Sequence, residues 1–319
     1  MRTSKDITNT PKTSDLNKWA DYIELLCLKN PDGLLTCDAL YDRITDEKDS
    51  TDDDNEDTGI TESESNDRLM QKVIDRFTFV SSRVHHYLDF YPFEFDTSEN
   101  IIYLKKELFR KHYFYLYLLY SSNLDYYKEH MSDLTSNFEL ISTFSLKSHL
   151  PRFTQVHSFG KSKIKSKKFN QNKLSDKIRE LSKELRLELS PYFSEDKISG
   201  DFGLDIVAWY NHDNNEAGPI FFGQCACGFD WEAKQFDAHY DKWKNCISFR
   251  HPPVSTIYIP KSFRDTSGLW LDDMKIYSTI VFDRLRILKR MYRRYLKEIH
   301  KISKPFVDKE LKEKLAVAE

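Results

Sequence analysis

The chain has 319 residues, 39% of them hydrophobic and 14% aromatic, which is apolar material for about two domains with buried cores and too much for a disordered tail. Its net charge of -3 conceals a division, because residues 46–67 hold eleven acids against one lysine and leave the rest of the chain at +7. Five scattered cysteines exclude a disulfide scaffold, Met1 to Asp6 lack the apolar run of a signal peptide, and the longest apolar-aromatic run, Tyr113 to Tyr120, is under half of the ~20 residues a membrane span needs, so a cytoplasmic protein with no membrane partner is expected.

Leu16, Trp19, Ala20, Ile23, Leu26 and Cys27 fall at three- and four-residue steps and predict an amphipathic helix over 14–29, ended by the turn residues Asn30-Pro31-Asp32-Gly33. Leu34 to Ile44 reads as a second short helix, so residues 1–45 are expected to form a small helical unit, a packing hairpin rather than a DNA reader. Residues 46–67, rich in Asp, Glu, Ser and Thr, have no periodicity and are expected to be a disordered acidic linker. Over 68–134, dense Phe, Tyr, Leu and Ile at helical steps predict helices at 68–88 and 101–127, broken at Tyr91-Pro92-Phe93. The aromatic stripe Tyr113, Phe114, Tyr115, Tyr117 and Tyr120 is read as core rather than as a base-stacking platform.

The pattern changes over 135–270. Thr135 to Leu150 predicts a helix halted by Pro151, and Thr154 to Phe159 a short strand ending in Gly160. Lys161 to Lys173 carries six lysines and no acid, and leads into an amphipathic helix from Leu174 to Leu189. Leu204 to Tyr210 and Ile220 to Cys227 read as a hairpin around the polar loop Asn211 to Gly218. A helix over 231–243 and a strand at 254–259 follow, which is the element order of an α/β sheet domain. Residues 271–319 close the chain, with a basic helix predicted from Asp272 to Lys304. It holds Arg284, Arg286, Arg290, Arg293 and Arg294, and its interleaved Leu, Ile, Met and Tyr residues let it dock while a basic face meets phosphates.

Chemistry concentrates in the hairpin. Asp205, set among apolar strand residues, is costly to bury without a ligand or ionic partner. Gln224 lies in the facing strand, and alternation lets both polar side chains converge on one cleft, where hard cations such as Mg²⁺ find oxygen ligands. Asp201 is read as a turn or capping acid. Cys225 and Cys227, with His239 and Cys246, match no common zinc spacing, and alternation turns both cysteines to the opposite, core-facing side as buried free thiols. No phosphate-binding glycine loop, Gly-x-Ser-x-Gly elbow or His-Glu-x-x-His helix is present.

Phe138-Glu139 on a helix, then Gly200-Asp201-Phe202-Gly203-Leu204-Asp205, then Gln224-Cys225-Ala226 resemble the restriction-endonuclease-like PD-(D/E)XK superfamily, and within it the Mrr-like branch. That branch shows Phe-Glu, Gly-Asp-x-Gly-x-Asp and Gln-x-Lys in this order. The similarity spans about residues 135–262. It implies an α/β fold, a restriction-endonuclease-like central mixed sheet flanked by helices, here preceded by an all-helical N-terminal region. It also implies a Mg²⁺- or Mn²⁺-dependent endonuclease that cleaves DNA in restriction or phage defence, with Asp205, Gln224 and Glu139 as metal ligands.

Two departures from the pattern shape the expectations. About forty residues intervene between the first strand and the Asp205 hairpin, so Glu180 or Glu184 on the inserted helix competes with Glu139 for the place of the first acid. Ala226 stands where the family's lysine orients and deprotonates the attacking water, and Lys234, in the first turns of the next helix, is expected to replace it. The rival expectations are a nuclease-fold module that binds nucleic acid or assembles a defence complex without cutting, and an RNase on the same scaffold. DNA contacts are assigned to Lys161, Lys163, Lys165, Lys167 and Lys168 and to Arg286, Arg290, Arg293 and Arg294. The remaining partner expectation is a homodimer or a partner protein of a defence system.

Overall fold

The computed structural model describes residues 7, 9–49, 62–160, 168–197 and 202–313. The chain divides into two compact units: the first holds residues 1–119, 264–271 and 300–319, the second 120–263 and 272–299.

In the first unit, Asp15 caps helix α1 (Leu16–Lys29) by accepting the Asn17 N–H. Strand β1 (Leu34–Thr36) leads into helix α2 (Cys37–Asp49). Helix α3 (Glu62–Tyr87), strands β2 (Phe93–Asp96) and β3 (Ile101–Leu104) and helix α4 (Arg110–Ser121) follow. The strands form an antiparallel sheet in the order β1-β3-β2. Two expectations are corrected here: residues 34–36 and 101–104 are strands, and the N-terminal region is not all-helical. Each is a short run with β-branched residues whose partner lies elsewhere in the chain, so its backbone hydrogen bonds are settled by a long-range pairing that local periodicity does not register. The expected linker is helical at both ends, to Asp49 in α2 and from Glu62 in α3, and its middle lies outside the described residues. The Tyr113 to Tyr120 stripe is buried throughout, as core.

A buried ion network holds this unit. The Arg83 guanidinium, 1% exposed, donates to Asp21 Oδ1 at 2.7 Å and Glu24 Oε1 at 2.8 Å. Tyr91 and Tyr115 donate their hydroxyls to Glu24 at 2.9 Å each.

The second unit contains helix α5 (Met131–His149), strand β4 (Gln155–Ser158), helix α6 (Leu174–Leu185), strands β5 (Ile206–Trp209) and β6 (Ile220–Cys225), and the short helices α7 (Trp231–Lys234) and α8 (Tyr240–Trp243). Strands β7 (Val254–Tyr258) and β8 (Ile280–Phe282), helix α9 (Arg284–Lys289) and the start of helix α10 (Arg293–Glu313) complete it. The sheet runs β4-β5-β6-β7-β8, antiparallel across the first three strands and parallel across the last three. The expected hairpin is present, with Val207 opposite Phe222 and Trp209 opposite Ile220. Side chains alternate across the sheet. Val207, Trp209 and Phe222 pack into a core with Ile178, Leu181 and Leu185 of α6 and with Trp243, whose ring meets Phe159, Phe202 and Phe222 at 5.9, 5.5 and 5.1 Å.

Two predicted helices are broken. Residues 231–243 form α7 and α8, separated where His239 caps α8 by accepting the Asp241 N–H. The stretch from Asp272 is not one helix, because Ile280-Val281-Phe282 adds a strand to the sheet and Asp283 caps α9 by accepting the Arg286 N–H at 3.1 Å. Arg284, expected on a basic face, is wholly buried and donates to Pro260 O and Ser122 Oγ, both at 2.8 Å.

His157 packs its ring on Trp209 at 5.3 Å, and burial, aided by Lys168 and Lys147, pushes its pKa down from 6.5 to about 4. The fold therefore favours the neutral ring, and its contribution is present above pH ~6.5 and lost as pH falls towards 4. Urea midpoints compared at pH 7 and pH 5 are expected to differ more in the wild type than in His157→Phe; an equal pH dependence would remove His157 from the acid transition.

Candidate functional site

Asp205 directly precedes β5 and is 5% exposed. It belongs to the β5–β6 junction by two bonds: its N–H donates to Gly223 O at 2.9 Å, and its Oδ2 accepts the Cys225 N–H at 2.7 Å. The side chain thus takes the place of a backbone acceptor where the ladder ends, which fixes the carboxylate. Its carbonyl accepts the N–H groups of Phe159 at 2.6 Å and Gly160 at 3.2 Å, which ties the end of β4 to the same point.

Gly160 is where the site opens. A Cβ placed on it would lie 2.8 Å from Asp205 Oδ1 and 3.4 Å from Glu139 Oε2. The two carboxylates therefore both close on Gly160, an approach that a side chain at position 160 would obstruct. Glu139 reaches it from α5, which packs on β4, β5 and β6. Glu180 and Glu184 on α6 are engaged elsewhere: Glu180 lies 4.0 Å from Lys183, and Glu184 pairs with Lys168. Of the three acids proposed for the first position, it is Glu139 that the fold brings to Asp205.

Alternation sends Gln224 and Ala226 to the face of β6 opposite Cys225, the face of Phe222 and the α6 core, whereas Glu139 lies on the Cys225 side, which corrects the expectation that Gln224 converges with the two acids on one cleft. Ala226 is fully buried, and Gln224 Oε1 is buried with no hydrogen-bond partner among the described residues. A buried amide oxygen with no partner invites a ligand that the protein itself does not supply. Among the described residues no three His, Cys, Asp or Glu side chains are arranged to hold a metal. Any cation at the Gly160 space must therefore complete its shell with an amide, backbone or water oxygen beside the two carboxylates.

A cavity of about 310 Å³ adjoins Glu139, lined among others by Met131, Cys225, Cys227, Phe229 and Lys234. Both cysteines border this cavity, which corrects the expectation that they face away from the site into the core. They are free thiols. Burial pushes the Cys225 thiol well up, with Asp205 and Glu139 adding to the shift. Burial also pushes Cys227 up, against Lys261 and Lys234, which oppose it. Charges of both signs thus converge on the end of β6.

Lys234 enters the cavity because α7 is anchored by Trp231, buried edge-on against Phe263 at 5.0 Å. Its ammonium is 3.5 Å from Asp230, one turn back, and the side chain is 34% exposed. Sequence reasoning missed two neighbouring lysines. Lys261, just past β7, donates to Gly228 O at 3.0 Å and lies 4.8 Å from the Phe229 ring. Lys177 on α6 donates to Phe159 O at 2.8 Å and Gly160 O at 3.1 Å.

Of the expected phosphate contacts, Lys161, Lys163, Lys165 and Lys167 lie outside the described residues, as does Asp201. Lys168 pairs with Glu184, and Arg286 donates to Val281 O at 2.8 Å, so neither is a freely projecting cation. Arg290, Arg293 and Arg294 are exposed, Arg294 lying over the Tyr295 ring at 4.6 Å. Among the described residues no helix is long and apolar enough to cross a membrane. Comparison of the chain with protein-family models, with curated proteins and with solved structures returns no match to any of them.

Proposed function

We propose that the second unit is a metal-dependent nuclease domain, hydrolysing the phosphodiester bonds of DNA. The observation that carries the reading is the Gly160 space, where Asp205 Oδ1 and Glu139 Oε2 converge from a strand end and a helix 66 positions apart in sequence. Its support is the order of elements around that space: helix α5, the antiparallel meander β4-β5-β6, short helices, then β7 parallel to β6. A mixed sheet flanked by helices, with Glu139 and Asp205 meeting at one end of it, is what the resemblance to the Mrr-like PD-(D/E)XK enzymes leads one to expect. The setting that resemblance implies, restriction or phage defence, is part of the proposal.

Asp205 and Glu139 would hold Mg²⁺ or Mn²⁺, because hard cations take oxygen ligands and both carboxylates lie against Gly160, with water or backbone oxygens completing the shell. A cation bound there would polarise the phosphate and lower the pKa of the attacking water. The chain's own groups do the rest. Lys234, in the cavity beside Glu139, orients the water and offsets the charge that develops on the phosphate. The exposed Arg290, Arg293 and Arg294 supply sequence-independent phosphate contacts.

The test is incubation of the chain with Mg²⁺ or Mn²⁺ and plasmid DNA, phage DNA or RNA, with a chelator as control. Cleavage that needs the cation is expected on DNA, and cleavage of RNA alone would move the reading to an RNase. Lys234→Ala is expected to lower cleavage by ~10² or more while DNA affinity stays within a few-fold, since a group that positions the nucleophile acts mainly in the transition state. Loss of binding in that variant would make Lys234 a phosphate anchor instead. A second reading has its own observation: Ala226 is buried at the family's lysine position. Wild-type protein that binds DNA yet never cuts it with either cation would establish that non-catalytic module.

A further inference from the structure

Helix α6 belongs to the roughly forty residues that separate β4 from the Asp205 hairpin, where the resembling nucleases have a short turn. Its Ile178, Leu181 and Leu185 are core residues, which accounts for the helix as packing. Lys177 is not accounted for that way. Its side chain stands between Ser175 and Ile178 on the buried side of the helix and is only 8% exposed. A lysine is almost never buried to this degree without partners, because an ammonium taken from water without compensation is strongly disfavoured. Among its neighbours are two carbonyl oxygens, Phe159 O at 2.8 Å and Gly160 O at 3.1 Å, with the Phe159 ring 5.5 Å away.

Those carbonyls belong to the two residues whose N–H groups donate to Asp205 O. Lys177, the Phe159-Gly160 segment and Asp205 therefore form one hydrogen-bonded chain, and Gly160 is the residue whose missing Cβ lets Asp205 Oδ1 and Glu139 Oε2 approach it from either side. An ammonium donating to successive carbonyls holds their peptide planes in one orientation, and charge-assisted bonds of this kind are about twice as strong as neutral ones. The same cation lies beside a segment flanked by two carboxylates that, close together, repel each other.

We propose that Lys177 is a positioning residue for the metal site, delivered by the inserted helix to hold the Gly160 segment so that Asp205 and Glu139 face the same cation. The inference rests on the metal-dependent reading above. It gives the insertion a function: the helix brings one lysine to the back of the site in a chain that lacks the usual lysine at position 226. Lys177 touches neither substrate nor metal in this role and acts through Gly160 and Asp205.

The experiment is calorimetric titration of the full chain with Mn²⁺ alone, for the wild type, Lys177→Met, Lys177→Arg and the surface control Lys183→Met, whose lysine is 77% exposed on the same helix. Each protein is checked for folding by thermal melting before titration. Removal of a group that orients a metal ligand typically weakens affinity 10–100-fold, and that is the loss expected for Lys177→Met. Lys177→Arg, which keeps a cation able to donate to both carbonyls, is expected to recover affinity to within a few-fold, and Lys183→Met to be unchanged. A merely structural lysine would lower the melting temperature without moving the Mn²⁺ affinity of the folded protein. Equal affinity in the wild type and Lys177→Met overturns the inference and leaves the metal reading intact, whereas absence of Mn²⁺ binding in the wild type overturns both. Should Lys177→Met not fold, Lys177→Gln, which keeps one donor and no charge, carries the same comparison.

Discussion

Gly160→Ala is expected to abolish metal-dependent cleavage in a chain that still folds. The backbone at Gly160 is outside the left-handed region, so alanine meets no conformational penalty there. The penalty is local, because the new Cβ would sit 2.8 Å from Asp205 Oδ1 and 3.4 Å from Glu139 Oε2 and so push the Asp205 carboxylate out of place. Displacing a reacting group by ~1 Å costs about 10²-fold in rate, and here the displaced group is the Asp205 carboxylate itself. A loss of at least ~10²-fold in cleavage, with Mn²⁺ binding weakened in parallel and the melting transition retained, is the expected result. Asp205→Ala should reach the same endpoint by removing a ligand. Were Gly160→Ala to cleave DNA at the wild-type rate, the space between the carboxylates would be ordinary packing, and the metal site would have to be sought elsewhere on the sheet.

The largest expected effect on stability lies in the first unit. Arg83→Met is expected to destabilise the fold by about 3–5 kcal/mol, because it removes the cation from a buried site that retains two carboxylates. Arg83 sits between Asp21 and Glu24, and Tyr91 and Tyr115 complete the shell of Glu24. Breaking one side of such a network leaves charge in a medium that cannot solvate it, which is why removal of one partner costs more than the pair contributes. Chemical denaturation followed by tryptophan fluorescence and by far-ultraviolet circular dichroism measures the loss. Adding Glu24→Gln to Arg83→Met should recover part of it, since the residual charge falls, and an additive double mutant would show that the two side chains are not coupled.

Much of the second unit was legible from the sequence because its signals are local. Leu204 to Tyr210 and Ile220 to Cys227 announce a hairpin by composition and turn residues, and Phe138, Ile141 and Phe144 place Glu139 on a helix. An acid among apolar strand residues, such as Asp205, is conspicuous for the cost of burying it. The same logic failed where a segment takes its structure from a distant partner. Residues 34–36 become a strand by pairing with 101–104, and Ile280-Val281-Phe282, inside a stretch dense in helix formers, becomes the fifth strand of the sheet beside β7. Periodicity reports what a segment buries; it does not report which neighbour supplies the hydrogen bonds.

The candidate site divides in the same way. Chain order alone gives the residue types and their succession: Glu139 on a helix, Asp205 and Gln224 on a hairpin, no lysine at 226, and a basic run entered directly from Gly160. The choice between Glu139 and the two acids of α6 came from packing, since it depends on which helix lies against the end of β4. Tertiary structure alone also turned the cysteines towards the Glu139 cavity, buried Arg284, and made Gly160 and Lys177 part of the site. A glycine is a turn signal in a sequence, and a lysine in an amphipathic helix is a solvated face. Each acquires another meaning only when residues far apart in the chain come within a few ångströms, because coordination and desolvation act over distances that chain order does not encode.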